Sequence, residues 1–419
     1  MKQYDSYKDS GVEWIGEVPS HWEVMKTSLA FHGIGSGTTP STSKKYFYDE
    51  NKGYYWLQTG DLNDGIINDT SKKVTKLAVS QCNLKFYPQN SIVIAMYGAT
   101  IGKVGILGIE TATNQACCVL PANQKVVSKF AFYEFLACKP ALLVSAIGGG
   151  QPNISQDVIR KQKIVIPPHS EQLSIASYLD KKCSEIDNVI SAQQKRIALL
   201  QELKQSVITH AVTKGLNPNV EMKDSGVEWI GKVPSHWEVC RFKDFMRLAT
   251  ETSTSNHKIG LENIESKSGK FIETNTEFEG NGVAFDINDI VYGKLRPYLQ
   301  KVWLAEFAGN AVGDFFVFKA KENSMPTFIK FLLLSDGFTK EADGSTFGAK
   351  MPRVSSEFIL TMHFCLPTKL EQTAIADYLD KKCASIDSSI SKAQHQVELL
   401  QEYKQSLITE VVTGKRKVS

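Results

Sequence analysis

Two long stretches of the chain place apolar residues in a 4-3-4-3 alternation, the seam pattern of a coiled coil. The first seam runs Leu179, Cys183, Ile186, Ile190, Gln193, Ile197, Leu200, Lys204, Val207, Ala211. The second runs Leu379, Cys383, Ile386, Ile390, Ala393, Val397, Leu400, Lys404, Leu407, Val411. Gln193, Lys204 and Lys404 interrupt it, and polar seam residues lower stability while fixing register and orientation. Each helix is expected to span about 35–40 residues, roughly 50–60 Å at 1.5 Å per residue. Gly215 and Pro218 end the first; Gly414 and a basic tail of Lys415, Arg416 and Lys417 end the second. Between these stretches the apolar runs are short and β-like: SIVIAMY, CCVLP and KIVIP, then DIVYG, DFFVFKA and HFCLP, bounded by Gly, Asn, Asp and Pro. One helical stretch falls late in each intervening segment, Val127 to Val144 and Pro326 to Lys340.

The pattern is written twice. Lys8–Val24 and Lys223–Val239 differ only at Glu17 and Lys232. Glu171–Thr209 and Glu371–Thr409 are identical at 24 of 39 positions. The segments between have drifted far apart, although NSIVIAMYGATIGKVGIL (90–107) still lies opposite NDIVYGKLRPYLQKVWLA (288–305), and GQPNISQDVI (150–159) opposite KMPRVSSEFI (350–359). The order is therefore a repeat segment (1–24), a variable domain (25–168), a central helix (169–215), a second repeat segment (216–239), a second variable domain (240–367) and a distal helix with its basic tail (368–419). We expect an α+β chain: two pseudo-twofold-related domains, each a bent β-sheet with helices, separated by two long helices forming an antiparallel coiled coil.

Composition adds limits. With 42% hydrophobic and 22% charged residues among 419, the chain is neither disordered nor fibrous. No apolar run approaches the ~20 residues that span a bilayer and no signal-peptide core opens the chain, so a cytoplasmic location is expected. The 8 Cys show no zinc spacing and are read as reduced thiols. The net charge of +3 conceals an uneven distribution. Val24–Pro168 carries 15 Lys+Arg against 8 Asp+Glu, while Arg241–Pro367 carries 15 against 16.

No catalytic residues and no metal site are assigned. GATIGKV (98–104) is one residue short of a phosphate loop and has Val104 where Ser or Thr would hold Mg²⁺. There is no GxGxxG after a strand, no HExxH, no GxSxG and no methyltransferase-type PPY or PPF. His21 and His236 lie inside the repeated PSHWEV, where packing explains them. Trp14, Ile15 and Trp22, with their copies Trp229, Ile230 and Trp237, are either interface anchors or the packing of each domain onto a helix root.

Flexible polar loops remain, rich in residue types that meet phosphates and base edges. In the first domain the candidates for DNA contact are Ser36, Thr38, Thr39, Ser41, Lys44 and Lys45, then Tyr97, Thr100 and Lys103, then Gln151, Asn153, Ser155, Arg160 and Lys161. In the second they are Tyr292, Lys294, Arg296, Tyr298 and Lys301, then Ser345, Thr346, Lys350 and Arg353. The alignment sets Asn153 opposite Arg353; Asn suits the edge of adenine and Arg that of guanine. An enzyme with an unrecognised nuclease or transferase site, and a coiled-coil adaptor for proteins, stay open as alternatives.

The repeated SGVEWIGxVPSHWEV, the EQxxIAxYLDKKC helix starts, the LLQExKQSxIT heptads and the duplicated variable domains together resemble the specificity subunit of type I restriction–modification enzymes, over the whole chain. The resemblance implies two target recognition domains, each reading one half of a bipartite asymmetric DNA target, with the coiled coil setting the unread spacer. It also implies two methylation subunits, which methylate adenine with S-adenosylmethionine, and restriction subunits that use ATP and Mg²⁺. These cofactors would sit on the partners and none on this chain. The repeated segments and helices would be the docking surfaces.

Overall fold

The computed structural model describes residues 3–49, 52–146, 153–253, 257–348 and 350–418. The chain divides into two compact units, Met1–Ala192 with Gln396–Ser419, and Gln193–His395. Each unit holds the first half of one long helix and the second half of the other. The helices are His169–Lys214 (46 residues) and Lys369–Val412 (44 residues). They exceed the expected length because each begins ahead of its Glu-Gln pair and runs on past the repeated stretch that ends at Thr209 or Thr409.

In the first unit the hairpin Tyr7–Asp9/Glu17–Pro19 leads into Glu23–Lys26, which pairs antiparallel with Lys163–Ile166. A five-stranded mixed sheet runs in the order Gly35–Ser36, Cys117–Leu120, Ile92–Ala95, Val104–Leu107, Gly65–Ile67. A four-stranded sheet runs Lys72–Val74, Tyr54–Leu57, Thr111–Thr113, Phe86–Tyr87. Helix Ser128–Val144 buries Phe130, Phe135 and Leu142 in the core.

The second unit repeats the frame. Met222–Asp224 pairs with Lys232–Pro234 in the same register, Lys223 on Val233 as Lys8 on Val18. Glu238–Arg241 pairs with His363–Leu366. Its sheets run Met246–Leu248, Phe315–Ala320, Ile290–Gly293, Val302–Leu304 and Thr252–Ser253, Gly282–Phe285, Gly309–Ala311, Lys258–Ile259. The single helix expected over 326–340 is two, Pro326–Leu333 and Asp336–Gly344. Ser335 breaks it: its backbone is extended and its hydroxyl bonds back to the Leu332 carbonyl.

Identical residues hold both units together. The buried side chains of Gln172 and Gln372 each accept from a helix-leading amide (Val127 and Met325, both 2.8 Å). Each also donates to two carbonyls, those of Lys125 and Pro167, or Asn323 and Pro367. Glu171 takes hydrogen bonds from Tyr4 and Trp22 and pairs with His21 at 2.7 Å; Glu371 pairs with His236 at 2.9 Å. His21 and His236 thus anchor a repeat segment to a helix start. Ile15, Trp22, Ile230 and Trp237 are buried, so in these four the packing role is realised.

The helix halves within each unit run antiparallel. In the first, Glu171 and the Gly414 carbonyl both meet the N-terminal segment, the latter through the Tyr7 hydroxyl at 3.1 Å, while Asp187 meets Lys404 at 2.7 Å. In the second, Lys204 meets Asp387 at 2.8 Å, while Lys214 and Glu371 both meet the repeat segment. The lysines that interrupt the seam are therefore paired across it, and two equivalent ion pairs fix its register. Of the seam residues, Leu179, Cys183, Ile186, Lys204, Ala211, Leu379, Cys383, Ile386, Ala393, Leu407 and Val411 are buried. Ile190, Ile197, Leu200, Val207, Ile390, Val397 and Leu400 are half-buried, and of these Ile190, Leu400 and Val207 pack at the edges of the domain cores. Ile208 is buried beside Val207, so the apolar stripe widens where the helix meets its domain.

All eight cysteines are free. Among the described residues no helix is long and apolar enough to cross a membrane, and no group of His, Cys, Asp or Glu could hold a metal ion.

Candidate nucleic-acid interface

Three backbone segments meet in each unit at one joint. In the first, the Ile154 amide donates to the Met96 carbonyl and the Met96 amide to the Ala116 carbonyl, each at 2.8 Å, and Tyr97 bridges to Asn153. In the second, the Val354 amide donates to the Lys294 carbonyl (3.1 Å) and the Lys294 amide to the Asp314 carbonyl (2.9 Å), and Leu295 bridges to Arg353. The main chain is the same and the side chains are not. Met96, Ala116 and Asn153 occupy the places that Lys294, Asp314 and Arg353 take.

Among the described residues, the consequence is a charge cluster at the joint of the second unit. Arg353 donates through Nε and Nη2 to the two Asp314 oxygens, both at 2.9 Å, and the Lys294 ammonium stands 3.8 Å from the same carboxylate. These hydrogen bonds hold the Asp314 carboxyl below its ordinary range, chiefly through Arg353, so it stays ionised. Lys294 also lies over the Phe316 ring. Arg353 is further fixed by a two-way backbone pairing with Phe347. The tip of that hairpin exposes Phe347 (61%) and Met351 (47%) beside Lys350.

The turn that follows the central strand is also shared. Gly98 and Gly102 take left-handed φ of +84° and +75°; Arg296 and Gln300 take +51° and +49° at the same points. A side chain at Gly98 would meet open space, and in the second unit Arg296 projects exposed from that point, its amide bonded to the Pro352 carbonyl. A residue with a Cβ resists this conformation by roughly 1–2 kcal/mol. Gln300 is buried and bonded to Thr339 and Gln205, which holds the turn.

The remaining candidates separate into two groups. Exposed or half-exposed in the first unit are Ser36, Thr38, Thr39, Ser41, Lys44, Lys45, Tyr97, Thr100, Lys103, Asn153, Ser155 and Lys161; in the second, Tyr298 is exposed. Thr39 donates to Gln115, Lys44 lies over the Phe47 ring and Ser155 caps the helix Gln156–Lys161. Gln151 lies outside the described residues.

One expectation needs correction, and four further candidates are engaged within the fold. Tyr292 is buried against Phe318 and Phe338, and burial pushes its hydroxyl pKa upward; the alternation of its strand turns it into the core. Lys301 donates to the carbonyls of Leu261 and Ile264, both at 2.7 Å, and so supports a turn. The hydroxyls of Ser345 and Thr346 close the end of helix Asp336–Gly344 by bonding to the Ala342 and Asp343 carbonyls. The Arg160 guanidinium is drawn in to the Ile34 carbonyl. The residues that sequence reasoning passed over are Asp314, Phe347 and Met351. Phe347 carried a signal, an aromatic inside a Gly-rich loop; Asp314 carried none, its partner being 39 residues away.

A family model described as the type I restriction modification DNA specificity domain matches residues 19–199. The type I restriction enzyme MjaVIII specificity subunit of Methanocaldococcus jannaschii is 26% identical over 425 residues, covering 96% of this chain and 94% of that protein. The EcoDI specificity subunit of Escherichia coli is 22% identical over 292 residues, 64% of this chain and 65% of that one. Among solved structures, a chain from a study of complex assembly and conformational transition in the type I R-M system aligns with a TM-score of 0.71 at 11% identity, over 94% of this chain and 98% of that one. The HsdS subunit from Thermoanaerobacter tengcongensis aligns at 0.53 and 12% identity, over 95% and 98%.

Proposed function

We propose that this chain belongs to the type I restriction–modification DNA specificity family and recognises a bipartite asymmetric DNA sequence, one half-site per unit, as a non-catalytic subunit. The observation that carries this reading is the pairing of one frame with two different surfaces. The Gln172/Gln372 anchors make the same hydrogen bonds in both units and the His21–Glu171 pair recurs as His236–Glu371, while the joint that presents Asn153 in one presents Arg353 in the other. In this reading the target recognition domains are 25–168 and 240–367. Segments 1–24 and 216–239, with the helices of 169–215 and 368–419, form the scaffold on which two methylation subunits and the restriction subunits assemble. S-adenosylmethionine, ATP and Mg²⁺ act on those partners, and the complex works in the cytoplasm.

The first domain's cationic excess supplies phosphate neutralisation, so duplex affinity should fall steeply and linearly with log salt. The test combines duplex-binding titrations at several salt concentrations with incubation of the purified chain with plasmid, Mg²⁺, ATP and S-adenosylmethionine. Salt-dependent, sequence-dependent binding without cleavage or methyl transfer is expected. Turnover by the chain alone, or binding indifferent to sequence, contradicts the reading.

A further inference from the structure

We infer that Arg353 reads a guanine in the half-site of the second unit and that Asp314 is the positioning residue that aims it, an inference that rests on the DNA-recognition reading above. A guanidinium has two paired-donor edges. Asp314 takes the side edge, Nε and Nη2, at 2.9 Å each. The end edge, Nη1 with the second Nη2 hydrogen, is left as a planar fork, the geometry that meets O6 and N7 of guanine in the major groove. An arginine on a flexible stem loses rotamer freedom when it binds; one already clamped by a carboxylate has lost it beforehand, so more of the contact energy is available for discrimination.

The backbone completes the mount. Arg353 is tied by amide and carbonyl to Phe347 and its segment to Lys294 and Arg296, so its Cα cannot drift. Lys294, 3.8 Å from Asp314, keeps the cluster net positive, which suits an approach to DNA despite the acid at its centre. The first unit tests the logic internally. It has the same joint but places Ala116 where Asp314 stands, and at Asn153 a side chain that needs no carboxylate and whose amide matches adenine N6 and N7.

The experiment is selection from a randomised duplex pool by the full-length chain in complex with its methylation subunits, followed by sequencing of the bound fraction. Arg353→Ala, Arg353→Lys, Arg353→Asn and Asp314→Asn are compared with wild type. Thermal melting of each complex identifies any variant that fails to fold, and Arg353→Lys, which keeps the charge and loses the fork, covers that case. Wild type should select a motif with a guanine in one half. Arg353→Ala and Arg353→Lys should each lower the preference for that guanine by about tenfold or more. Arg353→Asn should move it toward adenine. Asp314→Asn should weaken it at that position only, which a merely structural role does not predict. The other half-site should be unchanged throughout. A wild-type motif retained at every position by folded Arg353 variants overturns this inference and leaves the DNA-recognition reading standing. Selection of no motif by wild type overturns that reading, and this inference falls with it.

Discussion

The two units differ least where they are held together and most where they present side chains outward. Gln172 and Gln372 make the same three hydrogen bonds, and Asp187–Lys404 and Asp387–Lys204 the same ion pair. At the joint between Met96 and Asn153, or Lys294 and Arg353, the hydrogen-bonded backbone persists while an uncharged set is exchanged for a charged one. A main-chain scaffold that is satisfied by itself lets side chains vary without loss of fold. Such a design can carry two different recognition surfaces on one frame.

The comparison can be broken most forcefully at the buried glutamines. Gln172→Ala and Gln372→Ala each strip a buried amide and two carbonyls of their partners, and each should cost about 3 kcal/mol or more. Chemical denaturation followed by domain-specific tryptophan fluorescence checks this. A large loss in one unit with none in the other would show that the frames are not equivalent.

The ion pairs should be alike in geometry and unlike in worth. Lys204 is buried (8%), and Asp387→Ala would leave it unpaired at a cost of about 2–4 kcal/mol. Lys404 and Asp187 are more exposed, so Asp187→Ala should cost about 1 kcal/mol or less. Equal losses in denaturation midpoint would contradict this.

A smaller effect concerns the turn. Arg296→Gly installs the residue that the first unit uses at this left-handed position, and it should raise stability by about 1 kcal/mol or less while weakening duplex binding. Greater stability with unchanged affinity would remove Arg296 from the interface.

Helix Ser128–Val144 buries Glu134, where the corresponding helix of the second unit has Leu332. One oxygen accepts from the Val165 amide at 2.6 Å, and burial pushes the carboxyl well above its usual value of 4.5. The native state therefore keeps a proton that the unfolded chain releases, so this group's contribution falls as pH rises above about 4.5 toward the raised pKa. Glu134→Gln retains the acceptor without the titration. The variant should match wild type near pH 4, exceed it at pH 7, and flatten the pH dependence of the melting temperature. An unchanged slope would place the charge elsewhere.

The repeats, the seam and the six named β-runs were legible because each is a local or periodic signal. Sequence failed where the answer depended on a distant partner. Tyr292 alternates inward because of its strand's pairing; Lys301 and Arg160 are captured by carbonyls of remote segments; Asp314 acquires meaning only opposite Arg353. The second variable helix was misjudged because Ser335 ends a turn inside an apolar pattern that continues past it.

The central claim, two units reading two different half-sites, is tested most directly by single-molecule sequencing of methylated adenines in the genome of cells carrying this chain with its partners, with and without the chain. The account predicts a motif of two dissimilar parts separated by unread base pairs, present only when the chain is present. A contiguous motif, a palindromic one, or a methylation pattern unaffected by loss of the chain would contradict it.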